Sequence, residues 1–296
     1  MTNKLLIILG PTASGKTTLA VKLARRFKGE IISADSRQVY RGMDIGTGKD
    51  LKEYKKIPHH LIDIISPKKQ LTLADWQALA LQKIKEIQKK SKLPILCGGT
   101  GLYISSIIEG YQLPKIKSAS RRTNLDKLTL NQLLNKLKKI DLVTYKIIDK
   151  KNRRRVQRSL EIYYQTGLPK SAQLKKQKPA WDILQIGLKM PREELYQKID
   201  KRLKSWLEKE DLIGEVKKLR KQGIFWQRLE DFGLEYRWVA KYLQKKIDYQ
   251  TMFEQSKNDL HHYAKQQMTW FKRDKKIKWI NDYGSAEKFL SQFLFQ

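Results

Sequence analysis

Cysteine is almost absent from this sequence: Cys97 is the only one among 296 residues. An intramolecular disulfide framework and a multi-cysteine zinc site are therefore excluded. Histidine is nearly as scarce, with four residues in two adjacent pairs, His59-His60 and His261-His262. Neighbours on a strand point to opposite faces and neighbours on a helix diverge by ~100°, so neither pair makes a good metal site. No apolar run reaches the ~20 residues of a membrane span. The opening LLIILG is too short in its apolar part for a secretory signal and leads straight into a glycine turn, so a cytosolic (cytoplasmic) protein with no membrane partner is expected. Acidic residues are short too: 30 Asp and Glu stand against 62 Lys and Arg, a formal net charge of +32. A surplus of that size points to a polyanionic partner or an anionic surface and says nothing about fold. A lysine-rich proteome would produce part of it without any partner.

What is present alternates. Residues 4–9 (KLLIIL) read as a buried strand and residues 17–27 as a helix with apolar residues at Leu19, Leu23 and Phe27. Residues 30–34 (EIISA), 57–65 and 93–97 (LPILC) are further strand candidates, and residues 72–90 an amphipathic helix. Strands alternating with helices predict a parallel sheet covered on both faces. The pattern then changes. Residues 115–178 carry nineteen Lys/Arg against four Asp/Glu, a local charge of +15, with helical apolar spacing at Leu130, Leu133, Leu134, Leu137 and again at Val156, Leu160, Tyr163, Tyr164. A strand returns at 183–188, and helices dominate beyond: 193–210, 213–222, 236–243 and 251–273. The expected organisation is an α/β P-loop-like core from residues 1–111 and 183–296, with a basic helical insertion at 112–182 and a helical C-terminal region. Trp206, Trp238 and Trp270 are expected in the core, and Cys97 as an unreactive strand residue.

Gly10-Pro11-Thr12-Ala13-Ser14-Gly15-Lys16-Thr17 fits G-x-x-x-x-G-K-[ST] between a strand and a helix, a nucleotide- or diphosphate-binding turn. The two glycines let the backbone bend round an anion, and the helix N-terminus adds partial positive charge. Lys16 would reach the outer phosphate and Thr17 would ligate Mg²⁺ through its hydroxyl. A hydrolase of this class also places an acid at the end of an apolar strand. Here LPILC ends in Gly98-Gly99-Thr100, and Asp35 ends the other strand, followed by a polar turn expected to be exposed, Ser36-Arg37-Gln38. At the carboxyl edge of an open sheet, Asp35 can act as a general base on an acceptor, or as a Mg²⁺-shell or capping aspartate.

The blocks GPTASGKTTLA, ISADSRQVYRGMDIGTGK, HHLIDI, CGGTGLYISSIIEG, RRRVQRSLEIYYQTG, IDKRL and AKQQMTWFKRD together resemble the bacterial tRNA dimethylallyltransferase family from residue 5 to 279. That resemblance implies transfer of a dimethylallyl group from dimethylallyl diphosphate to the N6 amine of the adenosine 3′ of the anticodon, with Mg²⁺ required. It implies further that Thr12 and Lys16 contact the diphosphate, Asp35 accepts the amine proton, Arg202 clamps the diphosphate from the opposite side and Thr100 lines the channel. Asp35, Ser36, Arg37 and Gln38, with Arg154, Arg155, Val156, Gln157 and Arg158, match the tRNA-contact segments. The anticodon stem-loop is the implied RNA element, the flipped base its reacting part, and a monomer the default state. The sequence departs from the family pattern in places. Gly48 stands in GTGKD where GTAKP is common, Gly233-Leu234-Glu235-Tyr236 replaces a Gly-Tyr pair, and Lys265-Gln266-Gln267 replaces Lys-Arg-Gln. A P-loop small-molecule kinase, an isopentenyltransferase acting on free adenine nucleotide, and a non-enzymatic RNA-binding protein remain rival readings at this point.

Overall fold

The computed structural model describes residues 3–113, 125–173 and 181–295. These fall into two compact units, one from residues up to 104 together with those from 181 onward, the other from residue 105 to 173.

The first unit is built on six parallel strands: β1 (Lys4–Leu9), β2 (Gly29–Ser33), β3 (His59–His60), β4 (Leu93–Gly98), β5 (Asp182–Leu188) and β6 (Lys278–Ile280), in the spatial order β3-β2-β4-β1-β5-β6. β1 is central. Leu6 pairs with Ile95 on one side and Leu184 on the other, and Leu5 to Leu9 have no exposed surface. An unbroken apolar run is what a strand needs when both its faces are covered. Helix α1 (Lys16–Arg26) lays Leu19, Ala20 and Leu23 on the sheet, and α2 (Leu51–Tyr54) brings Tyr54 into the same core. α3 (Leu73–Lys89) starts at a capping box in which Thr72 and Asp75 satisfy each other's backbone amides. Its Trp76 is wholly buried, stacks on Tyr103 at 4.1 Å and donates Nε1–H to the Ser33 carbonyl. The carboxyl ends of β1, β2 and β4 thus lie side by side where the chain turns from one half of the sheet to the other, the usual ligand position in open α/β sheets.

The strand expected over residues 57–65 shrinks to His59–His60. Leu61 and Asp63 have φ of +63° and +55°, which strand backbone cannot accommodate, and pairing resumes only as an isolated bridge between Tyr40 and Ile65. His60 Nε2 lies 2.8 Å from Glu30, and no cluster of three potential metal-ligating side chains exists among the described residues.

α4 (Gly101–Ile108) runs across the border between the units. The second unit holds α5 (Leu130–Ile140), α6 (Leu142–Ile147), α7 (Arg153–Thr166) and α8 (Lys170–Gln173). Its core is Leu133, Leu137, Val156 and Leu160 of the expected helical stripe, joined by Leu125, with Leu130, Leu134 and Tyr164 partly buried against it. The unit begins at residue 105, seven residues before the expected border at 112, because helix α4 carries the chain across without a break. Lys115, Lys117, Arg121, Arg122, Lys175, Lys176 and Lys178 of the basic stretch lie outside the described residues.

The chain then supplies α9 (Arg192–Glu208), α10 (Leu212–Lys221), α11 (Trp226–Asp231), α12 (Leu234–Leu243), α13 (Tyr249–Phe271) and α14 (Tyr283–Phe295) to the first unit. Trp206 is buried as expected, but Trp238 and Trp270 are only partly so. Trp238 donates its indole N–H to Asp259 at the surface, and the Trp270 ring fills the space beside Gly101 that a Cβ would need.

Candidate active site

β1 stops at Gly10, whose φ of +152° no other residue adopts readily, and the turn 10–17 follows with Ala13 and Gly15 also at positive φ. Gly15 caps α1 without a side-chain acceptor, so the first helical amides remain available to an anion. The Ser14 hydroxyl is buried without a protein partner, an orphaned donor suited to a phosphate oxygen. Lys16 Nζ folds back onto the Pro11 carbonyl at 2.5 Å. Burial lowers its pKa to about 8, against a smaller opposing pull from Cys97 and Asp35, and Arg202 lowers it further.

Asp35 follows β2. Its Oδ1 accepts from the backbone N–H of Arg37 (2.8 Å) and Gln38 (3.4 Å), which leaves Oδ2 free of backbone bonds among the described residues. The neighbouring wall is tied to it by Thr100, whose hydroxyl accepts from Ser36 N–H at 3.0 Å and whose own N–H donates to the Ala34 carbonyl at 3.1 Å. The turn is not the exposed loop expected from its polarity. The Arg37 guanidinium pairs with the fully buried Glu235, and Gln38 donates to the carbonyls of Thr47 and Gly48 at 3.3 and 3.2 Å. The polar turn is half-buried here because Glu235, 198 positions away, satisfies Arg37 and the nearby Thr47 and Gly48 carbonyls satisfy Gln38.

A cavity of about 340 Å³ gathers residues 12–17 with Asp35, Arg37, Gln38, Arg202, Trp206 and Tyr263. Arg202 enters from α9, its guanidinium 4.7 Å from the Trp206 ring centre and packed against Gly48, where no Cβ stands in its way. The cavity is thus lined by the cations Lys16 and Arg202 and by the apolar side chains of Trp206, Leu234 and Leu260. Gly10, Pro11 and Thr100 stand behind its lining. Tyr263 lies beside Thr100, and burial, with Asp35 next, holds its phenol protonated. Cys97 also lines the cavity, and burial pushes its thiol up to about 12, so it is inert.

The expected metal ligand Thr17 lies at the cavity near Tyr54, with Asp50 and Glu53 also on the lining. This is a hard-oxygen set. It is too sparse to cage a cation alone and suits Mg²⁺ that takes further oxygens from a diphosphate.

The remaining expected contacts belong to the second unit, at the start of α7. Asn152 caps this helix by accepting Arg155 N–H at 3.1 Å. Arg154 and Arg155 are exposed, and Arg158 pairs with Glu161 at 3.0 Å. Gln157 donates to Asp126 at 2.8 Å. Val156 is a correction: its side chain is wholly buried among Leu133, Leu137 and Leu160, because it occupies the apolar stripe, and RNA has no access to it.

Gln267, Tyr263, Glu235 and Lys49 also shape the site, with no local sequence signal of their roles. Lys49 has almost no exposed surface and reaches Asp44 (2.7 Å), Asp63 and the Tyr40 carbonyl, fixing the 44–49 loop. A buried lysine beside two aspartates leaves no local signal. Gln267 sat inside a block already singled out but carried no assignment.

A family model described as IPP transferase matches residues 38–274. This chain belongs to the IPP transferase family. The matched stretch begins just after Asp35, and curated relatives extend the likeness over the phosphate turn. A tRNA dimethylallyltransferase 1 of Geotalea daltonii is 40% identical over 96% of this chain and 92% of its own length. One from Syntrophus aciditrophicus is 42% identical over 98% of both. Among solved structures, the tRNA isopentenylpyrophosphate transferase of Bacillus halodurans superposes with a TM-score of 0.72 at 38% identity, covering 99% of this chain and 95% of that one. A eukaryotic dimethylallyltransferase acting on tRNA gives 0.80 at 26% identity, covering 99% and 77%. The coverage of these relatives takes in both the sheet and the C-terminal helices that complete the cavity.

Proposed function

We infer that this enzyme transfers the dimethylallyl group of dimethylallyl diphosphate to the N6 amine of the adenosine 3′ of the anticodon in tRNA, releasing diphosphate. The observation that carries the reading is the convergence, in a member of this family, of an anion-binding turn and a carboxylate with one free oxygen on a single cavity. The N6 lone pair attacks the allylic carbon, the carbon–oxygen bond breaks, and its electron pair leaves on the diphosphate. The amine proton passes to Asp35 Oδ2. Lys16 and Arg202, both lining the cavity, neutralise the charge that grows on the leaving group. Bound Mg²⁺, held by Thr17 and the diphosphate, would add to that neutralisation. The apolar flank formed by Trp206, Leu234 and Leu260 suits the prenyl chain. Arg154, Arg155, Gln157 and Arg158 are read as tRNA contacts, since exposed arginines at a helix start suit phosphate oxygens. A tRNA substrate goes with a cytoplasmic enzyme.

Incubation with labelled dimethylallyl diphosphate, Mg²⁺ and unmodified tRNA bearing that adenosine should place label in the RNA. Label appearing only in free adenosine nucleotide would assign a different acceptor, and no label in either would overturn the reading.

A further inference from the structure

We propose that Gln267 is a positioning residue that sets the spacing between the diphosphate-binding turn and the wall carrying Thr100 and Asp35. The inference rests on the dimethylallyltransferase reading above and goes beyond it.

Gln267 lies on α13 with 5% of its surface exposed. Its Oε1 accepts the Thr12 backbone N–H at 2.8 Å, and its Nε2 donates to the Gly99 carbonyl at 2.9 Å. A single planar amide thus bridges the two edges of the cavity. Thr12 opens the turn after β1, while Gly99 closes β4 immediately before Thr100. Gly99 has no Cβ, and one built there would collide with the Gln267 amide nitrogen, so the bridge requires glycine at that point. One helical turn earlier on the same face, Tyr263 lies beside Thr100, and Thr100 in turn holds Ser36 next to Asp35. Tyr263 and Gln267 both face the cavity.

The chemistry makes this spacing matter. In-line displacement at the allylic carbon needs the amine, the carbon and the leaving oxygen aligned. The turn fixes the leaving oxygen, whereas Asp35 and Thr100 fix the amine. Nothing in the sheet itself keeps these two edges in register beyond Gly98, where the β1–β4 pairing ends at Leu9. Glutamine fits the task because it offers an acceptor and a donor on one rigid group. A methionine of similar volume has no such pair, and an ionised glutamate accepts at Thr12 but sets a charge against the Gly99 carbonyl.

The test measures single-turnover transfer at saturating donor and tRNA for wild type, Gln267→Met and Gln267→Glu, with diphosphate binding and melting temperature recorded on the same proteins. Misplacement of reacting groups by about 1 Å costs on the order of 10²-fold, the drop expected for Gln267→Met, with the diphosphate dissociation constant changed by less than about threefold. Gln267→Glu separates positioning from mere support of the fold. Burial raises a glutamate's pKa, and its protonated form again carries one donor and one acceptor. Its rate relative to wild type at the same pH should therefore climb as pH falls from about 8 to about 6. A wild-type single-turnover rate in Gln267→Met, a loss confined to diphosphate binding, or a pH-independent Gln267→Glu ratio would each overturn the proposal. Should Gln267→Met fail to fold, the Gln267→Glu ratio decides. Absence of transfer by the wild type would instead overturn the dimethylallyl reading.

Discussion

The Arg37 guanidinium donates to the carboxylate of Glu235, linking the turn after β2 to the first turn of α12 across 198 positions of sequence. Glu235 is wholly buried, and the same guanidinium sits 5.1 Å from the Tyr236 ring centre. Burial alone would favour discharging Arg37, but the Glu235 carboxylate outweighs it and holds the cation. Removing one partner of such a pair strands the other charge, which costs about 3–5 kcal/mol. Glu235→Ala should lower stability by that order in urea denaturation. A loss under about 1 kcal/mol would place the pair among weak surface bridges.

Lys16 predicts a basic limb in donor capture. Only its protonated form attracts diphosphate, and burial sets its pKa at about 8 in the free enzyme. The kcat/KM for dimethylallyl diphosphate should fall as pH rises through about 8. The stability sign is opposite. With a folded pKa below the unfolded value of 10.5, the charged lysine opposes folding at neutral pH, and the penalty fades between about 8 and 10.5. Lys16→Met should therefore melt higher than wild type at pH 7 while losing donor binding, and a lower melting temperature would contradict the assignment.

Asp35→Asn keeps an Oδ1 for the Arg37 and Gln38 amides, so the turn survives while the proton acceptor is lost. Single-turnover transfer should drop by about 10²- to 10⁴-fold, the usual worth of a general base, with tRNA affinity retained. Loss of RNA binding with unchanged chemistry would remove Asp35 from the base role.

Gly48 has a φ of +58°, and Arg202 occupies the space its Cβ would need. Alanine is common in the family at this position, yet here Gly48→Ala should push the guanidinium out of the cavity. A charge-assisted contact is weakened, and the donor KM should rise by about tenfold. Kinetics indistinguishable from wild type would show that Arg202 reaches its position by another path.

Arg154, Arg155 and Arg158 form the candidate RNA-contacting edge of α7. Replacing all three by glutamine should weaken tRNA binding and reduce the salt slope by about 0.7 to 0.9 per lost phosphate contact. An unchanged slope in a titration from low to moderate salt would exclude them.

The parts of this site that were legible in the sequence are those with local grammar. The turn 10–17 announces itself by two glycines and a lysine between a strand and a helix, and Asp35 by its place at the end of an apolar run. Gln267, Tyr263 and Glu235 have no such grammar, since each acts on a partner roughly 160 to 255 positions away. Val156 misled in the opposite direction: a residue within an arginine-rich block turned out to face the core, because helical periodicity outranks the character of its neighbours. Similarly, β6 is a three-residue strand, Lys278–Ile280, too short for any alternation to show. Its Ile280 is buried on the sheet only because β5 offers it an edge.

The amide bridge at Gln267 also bears on the order of synthesis. Thr12, Asp35 and Gly99 leave the ribosome early, but the amide that bridges Thr12 to Gly99 is made 168 positions after Gly99. Through most of translation the nascent chain therefore carries these two edges joined only through the sheet and Thr100. On the proposed role of Gln267, alignment of a prenyl donor waits until α13 has been completed and has docked.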